Sequence, residues 1–203
     1  MKYKWLNLKQ NRDIIIFFNG WGMDKSVVKH LDSGHYDVLM FYDYNTLNTD
    51  FDFNLLKNYE KRYLIAWSMG VMTATLFDIV YDKAVAVNGT LKPIDNNFGI
   101  PERIYDLTIK GFNEKGRERF MKTMFVTDSS IPNVERDLEN QKSELIALKQ
   151  YSANMDFKYN KIVISSDDKI IPSKNQCAFW KTEPNLKSGH CPFLMFSNWE
   201  ELL

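Results

Sequence analysis

The chain predicts an α/β fold, a mostly parallel central sheet flanked by helices, and three observations carry that expectation. Short apolar runs rich in β-branched or aromatic residues recur, helical patterns separate them, and loops bearing glycine or serine follow them. IIIFF at 14–18, bounded by Asn19 and Gly20, reads as a strand buried on both faces, as a central parallel strand must be. VLMF at 38–41, YLIAW at 63–67, AVAV at 84–87 and IVI at 162–164 repeat the pattern. Helices are expected between them at 24–31, 69–81 and 173–180, with Asp24 and Ser173 as N-caps. Residues 88–160 break the alternation: they hold no central-strand signal, but helical patterns lie near 114–125 and 133–151. One domain over residues 1–203 is therefore expected, with 88–160 as a short helical lid inserted within it. Ligands of open α/β sheets bind at the carboxyl ends of strands, where such a lid roofs the site.

Composition narrows the chemistry. The 203 residues are 44% apolar and 26% charged, and the 26 Lys plus Arg balance the 26 Asp plus Glu. With zero net charge there is no long-range field to draw the whole chain to nucleic acid or an anionic membrane, so neither is an expected partner. No apolar run approaches the roughly 20 residues of a membrane span, and the first residues carry no signal-peptide h-region. A cytoplasmic monomer is expected. Cys177 and Cys191 are the two cysteines, with no C-x-x-C and no Cys/His cluster at zinc spacing, so no disulfide framework, metal or cofactor is expected. Ordinary side chains must carry any chemistry.

AWSMG at 66–70 puts Ser68 between a buried strand and a helix, the setting of a nucleophile elbow. The usual G-x-S-x-G has small residues two before and two after the serine; Ala66 is the smallest departure from it and Gly70 keeps the second. The main-chain N–H of Met69 then faces a developing oxyanion. Alternatively, Ser68 simply N-caps the helix that follows. In this architecture the acid and then the histidine follow the nucleophile. His190, in KSGHCPF at 187–193, is the one histidine downstream, whereas His30 and His35 lie upstream and read as surface residues. SSDDKIIP at 165–172 offers two adjacent aspartates. Asp168, four residues before Pro172, fits the acid's register, and Asp167 then reads as a solvated turn residue. In the glycine loop FFNGWGMD at 17–24, Asn19 stands where H-G-x-G loops have histidine. By position the Trp21 N–H is a second oxyanion donor and its indole lines the pocket; the alternative is a glycine-rich turn with a core tryptophan.

Within the expected lid, KGFNEKGRERFMK at 110–122 carries five basic and two acidic residues, a local net charge of plus three. On a helix Lys115, Arg119 and Lys122 share one face, and Phe120, Met121, Met124 and Phe125 form an apolar side. The outer face docks an acidic carrier protein while the inner one meets an acyl chain, or else the basic face is merely solvated and the apolar side belongs to the core.

Together, FFNGWGMD, AWSMG, the VNGTLKPID stretch at 87–95, DKIIP and GHCPF resemble the BioG-type pimeloyl-[acyl-carrier protein] methyl ester esterases over most of the chain. These are small α/β-hydrolases of biotin synthesis. The resemblance implies the α/β-hydrolase fold and hydrolysis of the methyl ester of a pimeloyl chain carried on acyl carrier protein, the implied partner. It implies a Ser68–His190–Asp168 triad acting through an acyl-enzyme. The chain also looks like a reduced relative of BioH-type esterases, from which Asn19 and Ala66 depart. ERF at 118–120 is similar to their lid, which implies Phe120 at the acyl chain and Lys115 and Arg119 at the carrier. A general short-chain carboxylesterase or thioesterase is the alternative, and a non-catalytic binding protein on a hydrolase scaffold is the third reading.

Overall fold

A computed structural model describes residues 1–125 and 131–203; residues 126–130 of the expected lid lie outside the described residues. The strands are β1 (Lys2–Asn7), β2 (Asp13–Phe18), β3 (Tyr36–Tyr42), β4 (Lys61–Trp67), β5 (Lys83–Val87) and β6 (Lys161–Val163). They form one six-stranded sheet in the order β1-β3-β2-β4-β5-β6. Neighbours from β3 through β6 pair in parallel, and β1 closes one edge antiparallel to β3. The helices are α1 (Met69–Thr73), α2 (Glu102–Gly111), α3 (Glu114–Met124), α4 (Leu138–Leu148) and α5 (Ser173–Trp180).

Central position explains the sequence of β2. Residues 14 to 18 are all inaccessible to solvent, and the two-residue period of a strand divides them between two cores. Ile14, Ile16 and Phe18 pack on one face of the sheet, and Ile15 and Phe17 on the other. Burying each such side chain stabilises the fold by roughly 1.5–3 kcal/mol, so this strand anchors both layers. The register places Phe18 beside Ala66 and Ala66 beside Ala86, so the chain leaves β2, β4 and β5 at neighbouring points on the carboxyl edge. Asn19, Ser68 and Asn88 are the first residues past those strands.

Four departures have local causes. β1 was not expected; its alternating Lys2-Tyr3-Lys4-Trp5 pattern makes a half-exposed edge strand whose lysines discourage further pairing. Residues 24–31 form a short 3-10 turn over Lys25–Val27 instead of a helix, although Asp24 does cap it by accepting from the Ser26 N–H at 2.8 Å. Consecutive β-branched Val27 and Val28 fit a helix poorly, and here they serve the core from a loop. The helix expected over 69–81 ends at Thr73: the Thr73 and Thr75 hydroxyls bond back to carbonyls in the preceding turn, and the chain continues as a 3-10 turn over Ala74–Leu76. Finally, α5 forms as expected, but Pro172 holds its N-cap position, because the Ser173 hydroxyl donates to the Ser165 and Ser166 carbonyls.

Between β5 and β6 the described residues contain no strand, only α2, α3 and α4. α2 was not anticipated, because its apolar Ile104 and Leu107 stay exposed and line a cavity rather than the core.

Candidate active site

Ser68 lies at the sharp turn from β4 into α1 with φ 56° and ψ −121°, a left-handed conformation that non-glycine residues seldom adopt. Although it occupies the N-cap position of α1, its side chain makes no capping hydrogen bond. The hydroxyl instead meets His190: Oγ and Nε2 are 2.9 Å apart. Gly70 is small for a reason the sequence pattern left open. A Cβ there would stand 2.2 Å from the Phe18 carbonyl oxygen and 2.7 Å from that of Asn19, so the turn packs directly on the end of β2. Gly89 is constrained likewise, with a Cβ placed 2.5 Å from the Ser68 carbonyl oxygen.

His190 is almost wholly buried, and its Nδ1 lies 2.8 Å from Asp168 Oδ2. The Asp168 carboxylate also accepts from the Ile170 and Ile171 N–H groups at 2.9 and 3.1 Å and from Gln176 Nε2 at 2.8 Å. These donors fix the carboxylate in place against His190. The adjacent Asp167 is exposed and accepts from its neighbour Ser166 at 3.2 Å, away from the histidine. The His190 loop is fixed through its carbonyl, which accepts from Trp67 Nε1 at 2.8 Å and Asn88 Nδ2 at 2.9 Å. Asn88 also holds the segment that leads from β6 to Asp168, since its Oδ1 accepts from the Ser165 N–H at 2.7 Å.

Gln176 and Asn88 were missed in the sequence. Asn88 had a signal: like Asn19 and Ser68, it is a polar residue immediately after a buried strand. Gln176 had none beyond its place on a helix close after Asp168 in the sequence. The other histidines lie elsewhere: His30 is exposed, with Nε2 3.0 Å from the Phe193 carbonyl, and His35 stacks on Tyr36. Burial pushes the Cys191 thiol up to about 12, so it is a neutral thiol at physiological pH. Among the described residues no three His, Cys, Asp or Glu side chains converge to hold a metal ion.

The glycine loop after β2 runs beside this group. Asn19 is inaccessible; its Oδ1 accepts from the Gly20 N–H at 2.8 Å and its Nδ2 donates to the Asp24 carbonyl at 3.0 Å, which folds the loop on itself. Gly20 must be glycine because a Cβ would stand 2.8 Å from the Trp67 ring, and Gly22 adopts φ 71°. The Trp21 indole N–H donates to the Gln141 carbonyl at 2.7 Å. Among the described residues, neither the Trp21 nor the Met69 main-chain N–H has a protein acceptor. Both therefore remain able to donate to a bound group.

A cavity of about 590 Å³ opens over Ser68, Met69 and His190, within the usual range for small-molecule sites. Its apolar wall includes an aromatic group in which Trp21 meets Phe112 at 5.1 Å and Phe120 at 4.8 Å between ring centroids, both edge-on. Lys115, Arg119 and Lys169 are exposed and line the same cavity. Thus Phe120 and two of the basic residues of α3, Lys115 and Arg119, face one space, whereas Lys122, placed with them by helical spacing, pairs with Glu118 at 2.9 Å.

The chain is similar to known proteins along its whole length. The family described as "Pimeloyl-ACP methyl esterase BioG" matches residues 1–202. The crystal structure of BioG from Haemophilus influenzae superposes with a TM-score of 0.91 at 33% identity, covering 100% of this chain and 99% of that one. An α/β hydrolase fold protein from Burkholderia ambifaria superposes with a TM-score of 0.59 at 15% identity, covering 94% and 88% of the two chains, a likeness of fold. A Bacteroides fragilis protein named malonyl-[acyl-carrier protein] O-methyltransferase is 36% identical over 182 residues. That match takes in 84% of this chain but 37% of the relative, so the chain spans little more than a third of its length.

Proposed function

The chain belongs to the pimeloyl-ACP methyl esterase BioG family, and from that premise we propose that it is a serine carboxylesterase that hydrolyses the methyl ester of a pimeloyl chain carried on acyl carrier protein. The observation that carries this reading is the unbroken series Ser68 Oγ, His190 Nε2, His190 Nδ1 and Asp168 Oδ2 at 2.9 and 2.8 Å beneath an apolar cavity.

In the proposed reaction His190 takes the Ser68 proton as Oγ attacks the ester carbonyl, and Asp168 holds the imidazole and stabilises its charged form. The Met69 and Trp21 N–H groups donate to the oxyanion. Collapse of the tetrahedral intermediate breaks the bond to the methoxy oxygen, which leaves as methanol with the proton from His190. Water, deprotonated by His190, then attacks the acyl-enzyme; the second intermediate expels Ser68 Oγ, which recovers its proton, and the free carboxylate departs. The apolar wall with Phe120 suits a polymethylene chain. Exposed Lys115 and Arg119 suit an anionic carrier, and residues 88–160, which supply α2 to α4, act as the lid of a single hydrolase domain. That a region like this chain occurs in a relative named for methylating a carrier-bound acid fits an enzyme that removes such a methyl group.

A fluorophosphonate probe tests the chemistry. Stoichiometric labelling of the wild type that disappears in Ser68→Ala is expected; labelling that persists in that variant overturns the assignment of the nucleophile, and no labelling of the wild type returns the chain to the binding-protein reading.

A further inference from the structure

The glycine loop is clamped from the lid side. The Trp21 indole donates to the Gln141 carbonyl at 2.7 Å, Gln141 Nε2 donates to the Gly22 carbonyl at 2.7 Å, and the Gly22 N–H donates to Glu144 Oε2 at 3.1 Å. Gln141 and Glu144 are three residues apart on α4 and so share a face. The second oxygen of Glu144 accepts from the Tyr44 N–H at 2.8 Å, and the Tyr44 hydroxyl donates to the Asn19 carbonyl at 2.7 Å. The loop is thereby held at both ends, and the main-chain N–H of Trp21, which has no acceptor among the described residues, lies between the two holds.

Glu144 is completely buried, with the Arg136 guanidinium 3.0 Å from Oε2; burial pushes its pKa up, while Arg136 and the two N–H donors favour the anion. Burying a carboxylate is costly, yet an apolar side chain in its place would leave the Arg136 charge and the Gly22 and Tyr44 N–H groups buried without this acceptor. What a carboxylate adds is two acceptors aimed at N–H groups on two different loops. An amide in its place has one acceptor and must turn its NH₂ toward one of them.

From this we infer that Glu144 and Gln141 are positioning residues for the oxyanion hole: α4, from within residues 88–160, sets the direction of the Trp21 N–H. The inference rests on the serine-esterase reading. It means that the hole is complete only while α4 is seated on the loop, so that the substrate-covering segment and the reaction centre are mechanically joined.

Turnover of p-nitrophenyl butyrate by the full chain, with inhibition by an alkyl trifluoromethyl ketone that forms a tetrahedral adduct on serine, tests it in Glu144→Gln and Gln141→Met. The expected result is a fall in kcat/KM of about tenfold or more, residing in kcat, with the inhibition constant for the ketone rising by the same factor and KM within about twofold, as for a donor that acts on the tetrahedral state. Folded variants with kcat and inhibition unchanged overturn the inference. So does a loss of activity that merely follows the unfolded fraction while the remaining sites bind the ketone normally. Should Glu144→Gln fail to fold, Gln141→Met alone decides between these results. If the wild type itself shows no Ser68-dependent turnover, the esterase reading fails and takes the inference with it; if the wild type is active and both variants match it, only the inference fails.

Discussion

Ser68 sits at φ 56°, and a non-glycine residue in that region carries strain of about 1–3 kcal/mol that its surroundings must hold in place. The holding contacts are main-chain ones, at Gly70 against the Phe18 carbonyl and Gly89 against the Ser68 carbonyl. Backbone cannot swing aside as a side chain can. Gly70→Ala should therefore lower stability by more than about 2 kcal/mol in chemical denaturation and remove esterase activity, whereas an equally stable, active variant would contradict this packing. At the acid, Asp168→Asn should lower kcat by roughly 10³-fold or more with the fold retained, because the amide can present its NH₂ to Nδ1 and favour the wrong tautomer. Near-wild-type kcat would return the acid role to another group. Ser68, His190 and Asp168 were legible because each sits in a short local pattern of small residues, glycine or proline. Gln176 and Asn88 were not, because their value lies in what they touch: Asn88 reaches His190 across 102 residues of chain, a pairing that no local pattern encodes.

Among the elements, β2 was legible and the edge strand and the first helix after β5 less so, for a common reason. Residues 14–18 are buried on both faces, so their composition alone marks them, while β1 and α2 are half-exposed and spend their apolar residues at an edge or a cavity. The elements at 24–31 and 69–81 are shorter than periodicity implied because β-branched residues and threonine hydroxyls end helices early. α3 met its expected span, but its spacing did not show that Lys115 and Arg119 would share a cavity with Phe120. That arrangement yields a prediction for the helix as a unit. Reversing both charges, Lys115→Glu with Arg119→Glu, should raise KM for a carrier-bound ester about tenfold or more while leaving a small soluble ester within about twofold. Equal effects on the two substrates would mean that the helix supports the site without meeting the carrier.

For the molecule as a whole, a buried ionic group joins layers that are far apart in sequence. Arg136 lies 3.3 Å from Asp43 and 3.0 Å from Glu144, and Lys2 reaches Asp43 at 2.9 Å, so β1, the loop after β3 and the approach to α4 meet at one point. Burial works against ionisation of Asp43, but hydrogen bonds from Asn45 and Lys2 and the charge of Arg136 outweigh it and hold the carboxyl below its ordinary value. A carboxyl depressed in the folded state contributes stability that is fully present above its unfolded value of about 3.9 and is lost as pH falls through the folded value. Thermal unfolding between neutral pH and about pH 2 should therefore show a smaller acid loss for Asp43→Asn than for the wild type, and parallel curves would remove Asp43 from the account. The zero net charge of the chain is thus a sum that conceals a local excess: this ionic group balances within itself, whereas Lys115, Arg119 and Lys169 line the cavity with no Asp or Glu among its described lining residues.

Hydrolysis of purified pimeloyl-[acyl-carrier protein] methyl ester, followed by the mass of the carrier species, tests the central claim most directly. The account predicts that the wild type converts it to carrier-bound pimelate, lighter by one methylene, that methanol appears in equal amount, and that Ser68→Ala does neither. An unchanged ester, equal turnover by Ser68→Ala, or release of the acyl chain from the carrier by thioester cleavage would contradict it.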